Sequence, residues 1–143
     1  MSSRIKAILG SSIMLLITGL LAFTLIKPQD GGYIPEHEND LRKEEPGSHN
    51  GGGNTTAFSY FGNDKSVKFA FRKRILHPGS SIGYHLQKKQ EIYYILSGNG
   101  ILTMNGKEIS MKTGDAVLTK PGSSHGLKPA GNEDLAVLIT YEN

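Results

Sequence analysis

A chain of 143 residues holds one domain with appendages rather than several domains. Lys and Arg outnumber Asp and Glu only 16 to 13, and two of the basic residues, Arg4 and Lys6, precede an apolar segment. The rest is therefore nearly neutral and has no nucleic-acid footprint, and the absence of cysteine excludes disulfides, thiolate chemistry and a lipidated cysteine while leaving the compartment open.

Residues 7–26 contain no charge and lie between Arg4 and Lys6 on one side and Lys27-Pro28 on the other. Twenty apolar residues at helical rise match the roughly 30 Å hydrocarbon core of a bilayer. A cleaved signal peptide would end in small residues of A-x-A type, and here only Ala22 is available, with Leu20 two residues before it. The expectation is an uncleaved membrane anchor, with a cleaved signal peptide as the alternative. Positive charge on its N-terminal side keeps the N-terminus in the cytoplasm, so the domain would be exported to the periplasm or outside, or secreted if the segment is removed.

Residues 27–56 read as a flexible tether. Two prolines and two glycines between Lys27 and Pro35 are followed by a charged stretch and then Pro46-Gly-Ser-His-Asn-Gly-Gly-Gly. Low apolarity and frequent breakers argue against a packed element. His49 is ambiguous within this segment: the loop is either solvated or folded over the mouth of the domain.

From residue 57 onward, short strands alternate with turns. Residues 57–61 and 67–74 alternate in strand fashion around Gly62-Asn63-Asp64. Arg72-Lys73-Arg74 in the second run reads as a solvated sheet edge. His77, just before Pro78, reads as a loop residue. Residues 101–104 and 108–111 flank Asn105-Gly106, a strong hairpin signal. Residues 115–119 and 135–141 supply further strands. No apolar helical period with caps follows residue 30, so helices should be absent or trivial, and the fold class is all-β, a small antiparallel barrel or sandwich.

Two segments carry the chemistry. In the first, Gly79, His85, Gln87, Glu91 and Gly98 are spaced as G(X)5HxQ(X)3E(X)6G. In the second, Gly114-Asp115 opens a strand, Pro121-Gly122 turns the chain, and His125 follows three residues later. On an extended strand His85 and Gln87 share one face, while Tyr84 and Leu86 share the other. If residues 88–90 form a hairpin turn, Glu91 returns opposite Gln87. Tyr93 has the parity of Glu91 and should face inward. Imidazoles plus a carboxylate suit iron, manganese, nickel or zinc, and two histidines with one carboxylate leave open positions at a metal.

The paired motifs resemble the cupin superfamily over roughly residues 65–141. The departures are Gln87, where most cupins have a second histidine, Lys120, where proline is common, and Pro129, where asparagine is common. The resemblance implies a double-stranded β-helix of jelly-roll type, with His85, Gln87, Glu91 and His125 around a divalent transition metal. It also implies a homodimer, for which the outward residues Tyr84, Leu86, Ile92, Tyr94 and Leu96 give a physical reason. Its functional range covers metal-dependent isomerases, dioxygenases and lyases as well as pure binders of small oxygen-rich molecules such as sugar acids, keto acids and hydroxylated aromatics, and a structural module with a vestigial cup is a further alternative. Acid–base candidates are few: Tyr93, Lys120 and His49. No G-x-S-x-G, P-loop or paired catalytic carboxylate is present, so no organic cofactor is indicated.

Overall fold

Runs rich in Ile, Val, Leu, Tyr and Thr, broken by Gly, Asn and Pro, fold into two antiparallel sheets that face one another. The computed structural model describes residues 31–143, so the expected anchor or signal peptide over residues 7–26 lies outside the described residues. Among the described residues no helix is long and apolar enough to cross a membrane. Pro35–Asn143 form one compact unit.

A single helical turn, α1 (Glu38–Leu41), precedes ten strands: β1 (Arg42–Pro46), β2 (Asn54–Tyr60), β3 (Phe69–Leu76), β4 (Ile82–Leu86), β5 (Glu91–Ser97), β6 (Asn99–Met104), β7 (Lys107–Lys112), β8 (Ala116–Thr119), β9 (Ser124–Pro129) and β10 (Leu135–Glu142). The six-stranded sheet has the order β1-β2-β3-β10-β5-β8, and the four-stranded sheet β4-β9-β6-β7. The all-β architecture expected from the sequence is therefore the observed one. Between the sheets, Leu76, Tyr93, Ile95, Leu135 and Val137 meet Ile82, Leu102 and Leu127, every one of them at most 2% exposed. Asn105 and Gly106, at φ 49° and 79°, make the tight turn between β6 and β7, with Met104 paired to Lys107.

Three expectations are corrected here. The tether over residues 27–56 ends earlier than expected: Arg42–Pro46 pair with Asn54–Phe58 as an edge strand. Its side chains are polar and bury no apolar face, so strand periodicity does not reveal it. Glu44 instead receives the hydroxyl of Thr56 at 3.0 Å and the amide of Asn54 at 3.2 Å. Second, Arg72-Lys73-Arg74 is no solvated edge, because β3 lies between β2 and β10. Lys73 points outward, over the ring of Phe58 and onto Glu38 at 2.6 Å. Arg72 and Arg74 point inward, and Arg74 is 4% exposed. Third, β4 and β5 are not a hairpin; they belong to different sheets, and residues 87–90 cross between them. His77 is a loop residue, as expected, and is held in place by its partners. Its Nδ1 lies 2.9 Å from Asp134 and its Nε2 2.9 Å from Thr56.

Candidate metal centre

Antiparallel pairing of β4 with β9 sets His85 directly opposite His125. Residues so paired share a face with Cβ atoms about 5 Å apart, and the two imidazole centroids are 4.8 Å apart. From the other sheet, Glu91 at the start of β5 pairs with Thr119 of β8, and Thr119 reaches His125. The crossover thus does what the expected hairpin was meant to do: it carries the carboxylate to the imidazoles from the facing sheet. One ligand atom from each of His85, Glu91 and His125 lies within 4.8 Å of the other two.

The parity of β4 changes inside the strand. Ile82 pairs with Leu127 and His85 with His125, three residues against two, so one extra residue is accommodated as a bulge. The bulge lets both Ile82 and His85 face inward. Gly83 within it takes the carbonyl of His49 so closely that a Cβ there would collide with that oxygen.

Hydrogen bonding fixes which nitrogens face the cup. Nδ1 of His85 lies 2.8 Å from the carbonyl of Gly83, which can only accept. That nitrogen carries the hydrogen, and Nε2 presents a lone pair. Nδ1 of His125 lies 2.9 Å from the hydroxyl of Thr119; with the hydroxyl accepting, Nε2 of His125 is free in the same way. Nε2 of His125 is 2.9 Å from Oε2 of Glu91, an ion-pair distance, yet the angles make no hydrogen bond and neither buried atom has another partner. Two donors bound at right angles to one ion at about 2.1 Å would stand about 3 Å apart. Buried polar atoms without partners are rare and cost about 1–3 kcal/mol each. The two atoms stand at the separation expected of two donors that share one ion, and a divalent ion fits this donor set.

A cavity of about 220 Å³ adjoins the cluster, lined among others by Glu91, Gln87, Tyr93, His49, Arg72 and Arg74. His49, Gln87 and Tyr141 separate it from an outer vestibule that also carries His85, Lys88, Lys89 and Glu142. Gln87 is held by its backbone, whose N–H donates to Ser123 at 2.8 Å and whose carbonyl accepts from Gly122 at 2.9 Å. Its amide side chain belongs to the cavity wall.

The acid–base candidates separate. The loop between β1 and β2 does fold over the mouth, as one of the two sequence readings has it. His49 stacks on His85 with ring centroids 3.4 Å apart and planes 3° from parallel. Burial against this face, with the neighbouring His85 adding to it, holds His49 below the usual histidine range, although much of the ring still meets solvent. Tyr93 faces inward and stacks on His125 at 4.9 Å. Burial, with the Glu91 carboxylate adding to it, pushes its phenol well above the usual range, so the hydroxyl stays protonated at neutral pH. Lys120 is exposed in the turn after β8 and does not line either cavity. Arg72 and Arg74 are the residues that sequence reasoning missed. Their parity with the buried Leu76 is the signal that could have found them, once β3 is known to be an interior strand.

Residues 73–141 match the family model described as Cupin domain. Over 69 residues the chain is 45% identical to a Thermotoga maritima protein named Oxalate-binding protein, across 48% of this chain and 57% of that one. Over 75 residues it is 33% identical to an uncharacterized protein of Methanocaldococcus jannaschii, across 52% of this chain and 60% of that one. The match thus spans less than two thirds of either curated relative. Among solved structures, the fold is similar to that of a Thermotoga maritima protein described as a predicted oxalate decarboxylase, with a TM-score of 0.68, 29% identity and coverage of 76% of this chain and 98% of that one. A Cupin 2 conserved barrel domain protein from Salinispora arenicola shares the fold at a TM-score of 0.62 and 19% identity, over 80% of this chain and 91% of that one. The family match over residues 73–141 and the shared fold support a cupin domain, within the cupin superfamily.

Proposed function

We propose that this chain is a metal-dependent binder of a small oxygen-rich molecule, with a carboxylate of the oxalate type as its ligand. The observation that carries the reading is the convergence of His85, Glu91 and His125 with two buried ligand atoms that have no other partner. His85, Glu91 and His125 would hold the ion, and the Gln87 amide would either bind it or hold a water on it. When bound, the ion supplies a Lewis-acid centre with open positions for ligand oxygens.

Binding rather than turnover is favoured by the poverty of acid–base groups. Tyr93 is held protonated, Lys120 lies away from the cavity, and His49 alone is poised at the mouth. The relative named for oxalate binding is in keeping with this. A cavity of about 220 Å³ is smaller than the roughly 300–1,000 Å³ of sites for drug-sized ligands, which limits the occupant to a few heavy atoms. Delivery to the outer face of a membrane through residues 7–26 belongs to the same proposal. So does a homodimer formed through the outer face of β5, where Ile92, Tyr94 and Leu96 are 37–42% exposed; Tyr84 and Leu86 lie on β4 in the other sheet and do not share that face.

Calorimetric titration of oxalate into the full-length protein tests the reading. With one equivalent of Mn(II) bound, oxalate should bind about one per chain; after the metal is stripped, binding should vanish. Oxalate binding of equal strength with and without metal would overturn it.

A further inference from the structure

We propose that Arg72 is the specificity determinant of this site, its guanidinium gripping one carboxylate of a small dianion whose other end reaches the metal. This rests on the metal-centred reading above and adds to it the residue that reads charge.

The fold brings Arg72 to the site through sheet register. Arg72 of β3 pairs with Ile139 of β10, and Ile139 pairs with Tyr93 of β5. Cross-strand partners share a face, so all three project into the space between the sheets. Two strand spacings, about 10 Å, separate the Arg72 backbone from that of Tyr93. A long, forked side chain starting there lines the same cavity as Glu91, Gln87 and His49.

The two inward arginines are not equivalent. Arg74 is fully engaged: it donates to Glu45 at 2.8 Å, to the Thr55 hydroxyl at 2.6 Å and to the Pro46 carbonyl at 3.5 Å. Arg72 has only a stretched contact of 3.4 Å to the same Glu45 oxygen, and its Nε is buried with no partner at all. One carboxylate thus stands between two guanidiniums and sits closer to Arg74. Arg74 is structural, and because the two guanidiniums share the single Glu45 carboxylate, one positive charge in excess remains beside the cavity that Arg72 lines. Nε itself is shut off from the cavity, but the side chain as a whole is 27% exposed, so the terminal nitrogens of the guanidinium are the part that a ligand oxygen can reach.

Charge balance sets the ligand class. A divalent ion less the Glu91 carboxylate leaves one positive charge, and the surplus guanidinium adds a second. A dianion with two carboxylates neutralises both, and a guanidinium fork matches a carboxylate in two parallel hydrogen bonds. The vestibule carries Lys88, and Lys89 bonded to the Asn143 oxygen, against the acid Glu142, a bias that favours entry of anions. The cavity volume of about 220 Å³ confines the dianion to a short one.

The test compares oxalate with oxamide, its neutral isostere, by titration calorimetry on Mn(II)-loaded full-length protein, wild type, Arg72→Met and Arg72→Lys. The metal alone favours the anion, so the deciding quantity is how the preference changes on substitution. Arg72→Met should keep about one metal per chain and weaken oxalate by about ten- to a hundredfold, the range of a charge-assisted hydrogen bond. Oxamide binding should stay within about twofold. Arg72→Lys should fall between, since it keeps the charge and loses the fork; should Arg72→Met not fold, this variant decides alone. Equal loss of oxalate and oxamide, or oxalate binding that ignores both substitutions while metal loading is intact, would overturn the proposal and leave the metal site standing. A wild-type protein that takes no metal would instead sink the reading beneath it.

Discussion

His125 and His85 are each held through the nitrogen that does not face the cup, His85 by the Gly83 carbonyl and His125 by the Thr119 hydroxyl. The second contact is the more fragile, because a hydroxyl can rotate and a carbonyl cannot. Thr119→Val removes it with almost no change of shape in a residue that is 1% exposed. Metal affinity should drop about ten- to a hundredfold, the usual effect of losing a partner that orients a metal-bound histidine. Competition with a chromophoric chelator reads this, and unchanged affinity would mean that Thr119 does not orient the ring. Gln87 admits the opposite experiment. A neutral amide is a weak ligand beside imidazole, so Gln87→His should tighten zinc or nickel. If it has no effect while His85→Ala abolishes binding, the Gln87 side chain does not reach the metal. His85, Glu91 and His125 were legible in the sequence through the two motifs that resemble the cupin superfamily, whereas strand parity alone, a local property, could not bring His125 to His85 across β4 and β9. Arg72 was not legible, because its face depends on pairing with β10, some 67 residues away in register.

The element that shapes the cup is the bulged β4 with the β1–β2 loop laid over it. The N–H of Gly83 donates to the Ser48 carbonyl at 2.9 Å, and the next two residues of the loop, His49 and Asn50, have φ of 53° and 60°. Left-handed backbone at a non-glycine residue costs of order 1–3 kcal/mol and persists only where the surroundings enforce it. Gly83 is part of that enforcement, since only a residue without Cβ lets the His49 carbonyl approach so closely. Gly83→Ala should therefore destabilise the domain by about 1–3 kcal/mol through overpacking, seen as a lower Tm. It should also release the loop, exposing residues 47–53 to protease. A Tm and a cleavage pattern like wild type would contradict the packing described. The Asn105-Gly106 hairpin could be read directly from its turn chemistry, whereas β1 could not. Its sequence, Arg-Lys-Glu-Glu-Pro, carries no apolar alternation, and it is a strand only because β2 offers an unpaired edge and Glu44 finds Thr56 there. The β4–β5 crossover escaped for a related reason, because a connection as short as residues 87–90 fits a hairpin as well as a passage between sheets.

At the scale of the whole molecule, two sheets press their apolar faces together and leave a polar cup near one end of the space between them. The outer surface of β5 remains apolar, with Ile92, Tyr94 and Leu96 exposed, and Tyr94→Glu at its centre, 40% exposed, should not harm the fold. If the proposed dimer uses this face, sedimentation should show wild type as a dimer and Tyr94→Glu as a monomer. A monomeric wild type would remove the dimer from the account without touching the site. The central claim is that a divalent ion sits between two imidazoles and one carboxylate, and X-ray absorption on zinc-loaded full-length protein examines it directly. The account predicts about one ion per chain, with nitrogen and oxygen neighbours at about 2.0–2.2 Å and the outer scattering of two imidazoles, reduced to one in both His85→Ala and His125→Ala. An ion with no imidazole around it, or a spectrum unmoved by either substitution, would contradict it.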